Sequence, residues 1–206
     1  MSDLLSPEAI AGLLVPYTGS ARLPADLYQK LAIYLQLILK WNARVNLTAI
    51  RDPQNIVQRH FGESLFAGLH LDPTCDSLLD LGSGAGFPGV PIQLLHPHLS
   101  VTLAESRTRK AAFLQEVIRT LDLSAEVWSG RAESMPPNRH FNTVTLRAVD
   151  EMYAAVAEAS RRADKQIMIL GTRNAIYPSL VDRFQFKDPI PMPNSDDGVI
   201  WIAEPV

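Results

Sequence analysis

The residues best suited to chemistry stand close together at positions 78–89, Leu-Leu-Asp-Leu-Gly-Ser-Gly-Ala-Gly-Phe-Pro-Gly. An apolar strand there runs into a glycine-rich turn and then into a helix that starts near Pro88. Glycines let a backbone turn sharply and let a ligand approach the peptide plane with no Cβ in the way, and N–H groups at a helix start attract negative charge. The segment reads as a cofactor loop, with Gly82 and Gly84 beside the ligand. Glu105 follows about twenty residues further on, where a carboxylate ending the next strand can accept ribose hydroxyls. Gly84-x-Gly86-x-x-Gly89 also fits a dinucleotide fingerprint, so a nicotinamide cofactor competes with a methyl donor. Asp80 separates them. A carboxylate two residues before the first glycine is expected to point at the ligand, where it repels a pyrophosphate and welcomes the ammonium of S-adenosylmethionine. Glu105 serves either cofactor.

These residues need a scaffold to converge. Ser6-Pro7-Glu8 reads as an N-cap with proline at the first helical position, and the apolar run 9–15 stops at Pro16. From Asp26 to Trp41 the residues Leu27, Leu31, Tyr34, Leu35, Ile38 and Trp41 recur at helical spacing, burying one face. Asp52-Pro53 opens a third helix, with Ile56, Val57, His60, Phe61, Ser64 and Leu65 near one stripe before Gly68. After Pro73 short apolar strands alternate with helices: 77–81, 88–95, 100–105, 108–121, 126–128, 142–146, 151–162 and 166–170. Such alternation predicts a parallel sheet with crossover helices. Segments 183–187 and 199–203, around the proline-rich stretch 188–193, could pair antiparallel at the sheet edge. The expected division is a helical extension over 1–72 and an α/β core over 73–206.

Composition narrows the setting. The 206 residues suffice for one domain with a proper core, and 19 basic against 22 acidic residues leave a net charge of −3. An RNA partner therefore needs a local basic patch. Cys75 is the only cysteine, so no disulfide forms within the chain, which suits the cytoplasm. No secretory leader or membrane span is expected. The histidines, at 60, 70, 96, 98 and 140, lack metal-site spacing, so no metal is expected.

Several segments agree in order and spacing with one family. Trp41-Asn42, Asn46-Leu47-Thr48, Arg51-Asp52-Pro53, Arg59-His60-Phe61 with Ser64-Leu65, the loop 80–91, Arg131-Ala132-Glu133 and Arg147-Ala148 resemble the bacterial small-subunit ribosomal RNA guanine-N7 methyltransferases, RsmG or GidB. The likeness covers roughly residues 30 to 150. It implies a class I S-adenosylmethionine-dependent methyltransferase fold, Rossmann-like, mostly parallel with an antiparallel edge strand, preceded by a helical extension. It also implies methyl transfer to a guanosine N7 of 16S rRNA, within the 30S subunit or an assembly intermediate. Cofactor contacts carried over fall on Gly82, Phe87, Ala132, Glu133 and Arg147. Two departures stand out: Glu63 where relatives commonly have Asp, and Leu170-Gly171-Thr172 where many have Leu-Lys-Gly. Arg173 is the candidate to replace that lysine.

Guanine N7 carries an exposed lone pair at neutral pH, so its methylation needs positioning more than a general base. The chain fits that demand. Cys75 lies before the first strand, away from where a cytosine-C5 nucleophile belongs, and reads as a buried thiol. No Asn or Asp followed by Pro-Pro and an aromatic follows the fourth strand, as amine methylation would need. Arg147, past that strand, is the candidate positioning group; it could hold the methionine carboxylate, or guanine O6 with an RNA phosphate, or form a structural ion pair. His60 is either a core histidine or a substrate contact. Arg44, Arg59, Arg107, Arg109 and Lys110 are candidates for an RNA-facing rim. A nicotinamide-dependent oxidoreductase and a non-catalytic RNA-binding module remain alternatives, and a monomer is expected.

Overall fold

A computed structural model of the chain describes residues 5–175 and 183–206. Helix α1 (Pro7–Thr18) starts where Ser6 caps the Ala9 N–H at 3.2 Å. It does not stop at Pro16. That residue is exposed, so the hydrogen bond it cannot make is lost at solvent, and the helix continues to bury Tyr17 and Thr18. Helix α2 (Leu27–Asn42) buries Leu27, Leu31, Tyr34, Leu35 and Ile38, the face its spacing predicts. Asp52 caps the Asn55 N–H at 2.8 Å to open α3 (Pro53–Asn55). The chain then widens into a π-helical stretch (Ile56–Gly62) before α4 (Glu63–Gly68). Gly62 is required there, because a Cβ would stand 2.6 Å from the Tyr17 ring.

The sheet comprises β1 (Ser77–Leu81), β2 (Ser100–Ala104), β3 (Glu126–Trp128), β4 (Phe141–Arg147), β5 (Ala163–Thr172), β6 (Phe184–Phe186), β7 (Ile190–Pro191) and β8 (Gly198–Pro205). Its order is β3-β2-β1-β4-β5-β8-β6, with β7 also on β8; β1 to β5 are parallel, while β6, β7 and β8 pair antiparallel. Helices α5 (Gly89–Leu95), α6 (Thr108–Leu121) and α7 (Met152–Arg162) make the crossovers. This is the Rossmann-like arrangement expected, with one refinement: the long antiparallel strand β8 lies inside the sheet and β6 takes the edge. One apolar cluster joins Leu14, Leu31, Tyr34 and Phe61 of the N-terminal helices to Leu78, Val101 and Leu103 of the sheet, so the extension shares the core. Among the described residues no helix is long and apolar enough to cross a membrane.

Strand order reverses between β1 and β4, and the glycine loop leaves β1 at that point. Gly82, Gly84 and Gly86 all have positive φ (74°, 59° and 92°), a region L side chains rarely enter. At Gly86 a Cβ would also stand 2.6 Å from the Tyr34 hydroxyl, which donates to the Ala85 carbonyl.

Asp80 does not point at the cleft as the sequence suggests. Its carboxylate is fully buried, accepting from Gly89 N–H at 3.1 Å and from the Thr145 hydroxyl at 2.9 Å, its register partner on β4. It is therefore the anion that takes up the first helix amide of α5. Nor are most of the loop amides free. Those of Gly82 and Ser83 bond Ala104 O, that of Gly84 bonds Glu105, and those of Gly86 and Phe87 bond Ser83 O. A pyrophosphate would find these donors taken.

Two outcomes are expected. Gly86→Ala should cost about 2 kcal/mol and lower Tm by roughly 6 °C in thermal unfolding followed by circular dichroism. Burial pushes the Asp80 carboxyl up to about 6 from an ordinary 3.8, so the folded state holds the proton more tightly than the unfolded chain. Stability contributed by Asp80 then falls as pH rises through about 4 to 6, by about 3 kcal/mol. Asp80→Asn can accept from Gly89 and donate to Thr145, and lacks that titration. Urea unfolding should show it gaining on the wild type between about pH 4 and pH 7; a constant difference would refute the raised carboxyl.

Candidate active site

A cleft of about 450 Å³ opens beside the glycine loop, a volume usual for a small-molecule site. Four connections of the sheet supply its walls: the loop after β1, Glu105 to Arg107 after β2, the turn around Ala132 after β3, and residues 147–151 after β4. The helical extension adds Leu47, Thr48 and His60.

Glu105 is nearly buried, and its two carboxylate oxygens accept from Gly84 N–H (2.9 Å) and Arg107 N–H (2.7 Å). It thus joins the two loops while lining the cleft. Ala132 and Glu133 belong to a single 3-10 turn (Ala132–Ser134), tied by Ser134 N–H and Oγ to Arg131 O at 3.1 and 2.7 Å. Phe87 lines the cleft and also enters an aromatic group, stacked on His60 at 4.6 Å and tilted against Tyr34 and Phe61.

Arg147 resolves toward the structural role. Its Nη1 donates to His60 Nδ1 at 2.6 Å, and its Nη2 donates to Arg59 O at 2.8 Å and Glu63 Oε2 at 2.6 Å. Three acceptors from one helical segment therefore hold the end of β4, and the group still borders the cleft. Glu63, seen in the sequence only as a departure, is buried and also accepts from Arg59 Nε at 2.9 Å. The longer carboxylate reaches both guanidinium groups. A guanidinium only donates, so His60 Nδ1 carries the lone pair and Nε2 donates to Thr48 Oγ1 at 2.7 Å. Burial first, then Arg147 and Arg59, lower the His60 pKa to about 3. The ring is neutral at working pH with both nitrogens engaged.

The basic residues divide. Arg107 and Lys110 line the cleft, and Arg107 reaches across to Asp150 at 3.0 Å; Arg59, exposed on the extension, pairs with Glu63 outside the lining. Arg44 and Arg109 are exposed outside the lining, and so is Arg173, in the turn after β5. Cys75 is a buried thiol against Thr143 Oγ1 at 3.3 Å. Sequence reasoning missed Thr48 and the residue that places it. Asn42 accepts from Leu47 and Thr48 N–H at 2.9 and 3.1 Å and donates to Thr48 O at 3.1 Å, folding that loop into the cleft. The recurrence of Asn42 with Asn46-Leu47-Thr48 in the resemblance was its available signal.

Known proteins agree with this arrangement. The family model described as rRNA small subunit methyltransferase G matches residues 27–175. A relative of that name from Stenotrophomonas maltophilia is 41% identical over 86% of this chain and 83% of its own. One from Roseiflexus castenholzii is 46% identical over 70% of this chain, a match spanning 64% of the relative's length. Among solved structures, a SAM-dependent methyltransferase from Aquifex aeolicus aligns with a TM-score of 0.58 at 15% identity, covering 78% of this chain and 97% of that one. The glycopeptide N-methyltransferase MtfA in complex with S-adenosyl-L-methionine aligns at 0.57 and 12% identity, over 71% and 94%. These structural likenesses are of fold, whereas the family match runs from α2 of the extension through the glycine loop and Arg147: the chain belongs to the rRNA small subunit methyltransferase G family.

Proposed function

We propose that this chain transfers a methyl group from S-adenosylmethionine to N7 of a guanosine in 16S rRNA, acting as a cytoplasmic monomer on the 30S subunit or an assembly intermediate. The observation that carries the reading is the joint wall of the cleft, where the glycine loop and Glu105 face Thr48 and His60 of the extension. A cofactor site and the family's own helical addition meet there. The donor set fits an uncharged, hydroxyl-bearing nucleoside better than a pyrophosphate: the amides of Gly82, Ser83, Gly84, Gly86 and Phe87 are taken, while Glu105 offers acceptor oxygens. The glycine spacing on which the nicotinamide alternative rested is intact, but most of its amides are engaged within the protein and so are not offered to a pyrophosphate.

Gly82, Gly84 and Phe87 would form the floor of the cofactor site, Glu105 would accept ribose hydroxyls, and the Ala132-Glu133 backbone would meet the adenine edge. Asp80 supports this floor from beneath. When bound, S-adenosylmethionine supplies an electrophilic methyl on a cationic sulfur. The lining carries Glu105, Glu133, Asp150 and Glu151 together with Arg107, Lys110, Arg131 and Arg147, with Asp150 paired to Arg107 and Glu63 to Arg147, so it offers charges of both signs to a cofactor that bears a sulfonium, an ammonium and a carboxylate. His60 has no nitrogen to spare as a base, and attack by the guanine lone pair requires none. The residues' contribution is placement, an effect that can supply about 7–11 kcal/mol in ideal cases. Arg147, with His60, would set the guanine side. Arg107 and Lys110 of the lining, with the exposed Arg44, Arg59, Arg109 and Arg173, would meet RNA phosphates.

The test is to incubate the protein with S-adenosylmethionine and 30S subunits lacking the modification, digest the RNA and seek 7-methylguanosine by mass spectrometry. The nucleoside is expected from the wild type and not from Gly82→Asp, which puts a side chain at φ 74° and a carboxylate into the cleft. Cofactor binding without the product would refute the methyl transfer proposed and favour a binding module or another RNA.

A further inference from the structure

A buried ion pair behind the cleft has no part in the function proposed above. Arg162 ends α7 and is 5% exposed, and Glu158, one turn earlier, is 2% exposed. All five N–H donors of Arg162 are used. Nε donates to Glu158 Oε1 at 2.6 Å, Nη1 to Pro136 O at 2.8 Å and Arg139 O at 3.1 Å, and Nη2 to Ala132 O and Met135 O, both at 3.1 Å. Four carbonyls of one excursion between β3 and β4 thus converge on a single guanidinium.

That excursion carries Ala132 and Glu133, which line the cleft. Met135 anchors it with a buried side chain, and short-range bonds such as Ser134 N–H and Trp128 Nε1 to Arg131 O tie the turn locally, but the segment forms no strand, so no ladder fixes it to the sheet. A planar fork with fixed donor directions supplies the missing template, and the Glu158 carboxylate holds the fork against rotation. Glu158 is itself held by Arg161, whose Nε reaches its Oε2 at 2.9 Å.

We propose that Arg162 is a positioning residue for the nucleoside wall of the cleft: by ordering the Ala132-Glu133 turn from behind, it sets affinity for S-adenosylmethionine without touching it. The inference rests on the cofactor placement proposed above. It predicts a specific split, because the turn after β3 lies on the cofactor side while the guanine side is built from Arg147 and the extension. Loss of the fork should weaken cofactor binding and leave the KM for 30S subunits unchanged.

Arg162→Lys keeps the charge but offers three donors without planar geometry, so it is the informative variant; Arg162→Met leaves Glu158 buried without its main partner and serves only if it folds. Ile200→Val, remote in the apolar cluster of β5 and β8, is the control for general destabilisation. Calorimetric titration with S-adenosylmethionine, at a temperature where each protein is folded, should give about tenfold weaker binding for Arg162→Lys and wild-type affinity for Ile200→Val. Turnover should show a matching rise in the KM for S-adenosylmethionine at unchanged kcat. Amide hydrogen exchange over 132–139 should be faster in Arg162→Lys before any ligand is added. Wild-type affinity in Arg162→Lys, or an equal loss in Ile200→Val, would overturn the inference alone. A wild type that does not bind S-adenosylmethionine would overturn the cofactor placement and the inference with it.

Discussion

A guanidinium at the inner end of a parallel strand has to find acceptors, because little water reaches it. Arg147 finds all of its named acceptors on the extension: the Glu63 carboxylate, the Arg59 carbonyl and the His60 ring. The orientation of the extension on the sheet is consequently set by directional charge as well as by the shared apolar cluster. Removing one member of such a buried pair leaves the other uncompensated, at a typical cost of about 3–5 kcal/mol. The same arrangement keeps His60 uncharged and stacked on Phe87, so strand, loop and extension meet at one point.

Two other buried charges repeat this logic. Asp80 holds the start of α5 under the loop, and Arg162 holds the excursion after β3. In each case an ionised or ionisable side chain lies behind the wall and bonds backbone, while the surface facing the cleft is left for a ligand. The site is shaped from the second layer outward, which preserves its geometry without filling its space.

Much of this was legible in order along the chain. Apolar spacing located α2 and the alternation of β1 to β5 because burial on one face or both leaves a period in the sequence. The glycine loop and Glu105 were legible because positive φ and a strand-end carboxylate leave few alternatives in residue type. What failed were directions and long-range partners. Asp80 sits two residues before the first glycine, yet its carboxylate turns inward because Gly89 and Thr145 offer it bonds that no local pattern announces. Pro16 stays helical because it faces solvent, a property of α1's packing. Arg147 was correctly placed at the cleft, but its engagement with Glu63 crosses more than eighty residues. The π-helical stretch at Ile56–Gly62 ends on a glycine against which Tyr17 packs, a partner more than forty residues away.

Tyr34 carries a consequence for how the molecule comes apart. Its ring is fully buried among Phe61, Phe87 and Phe113, and its hydroxyl satisfies the Ala85 carbonyl in the middle of the glycine loop. Helix α2 cannot withdraw without orphaning that carbonyl, and the loop cannot open without stripping α2 of its partner. Withdrawal of α2 and opening of the loop are therefore coupled through Tyr34. A ligand that binds this folded loop stabilises α2 by mass action, so its occupancy is written into the exchange protection of residues that never meet it.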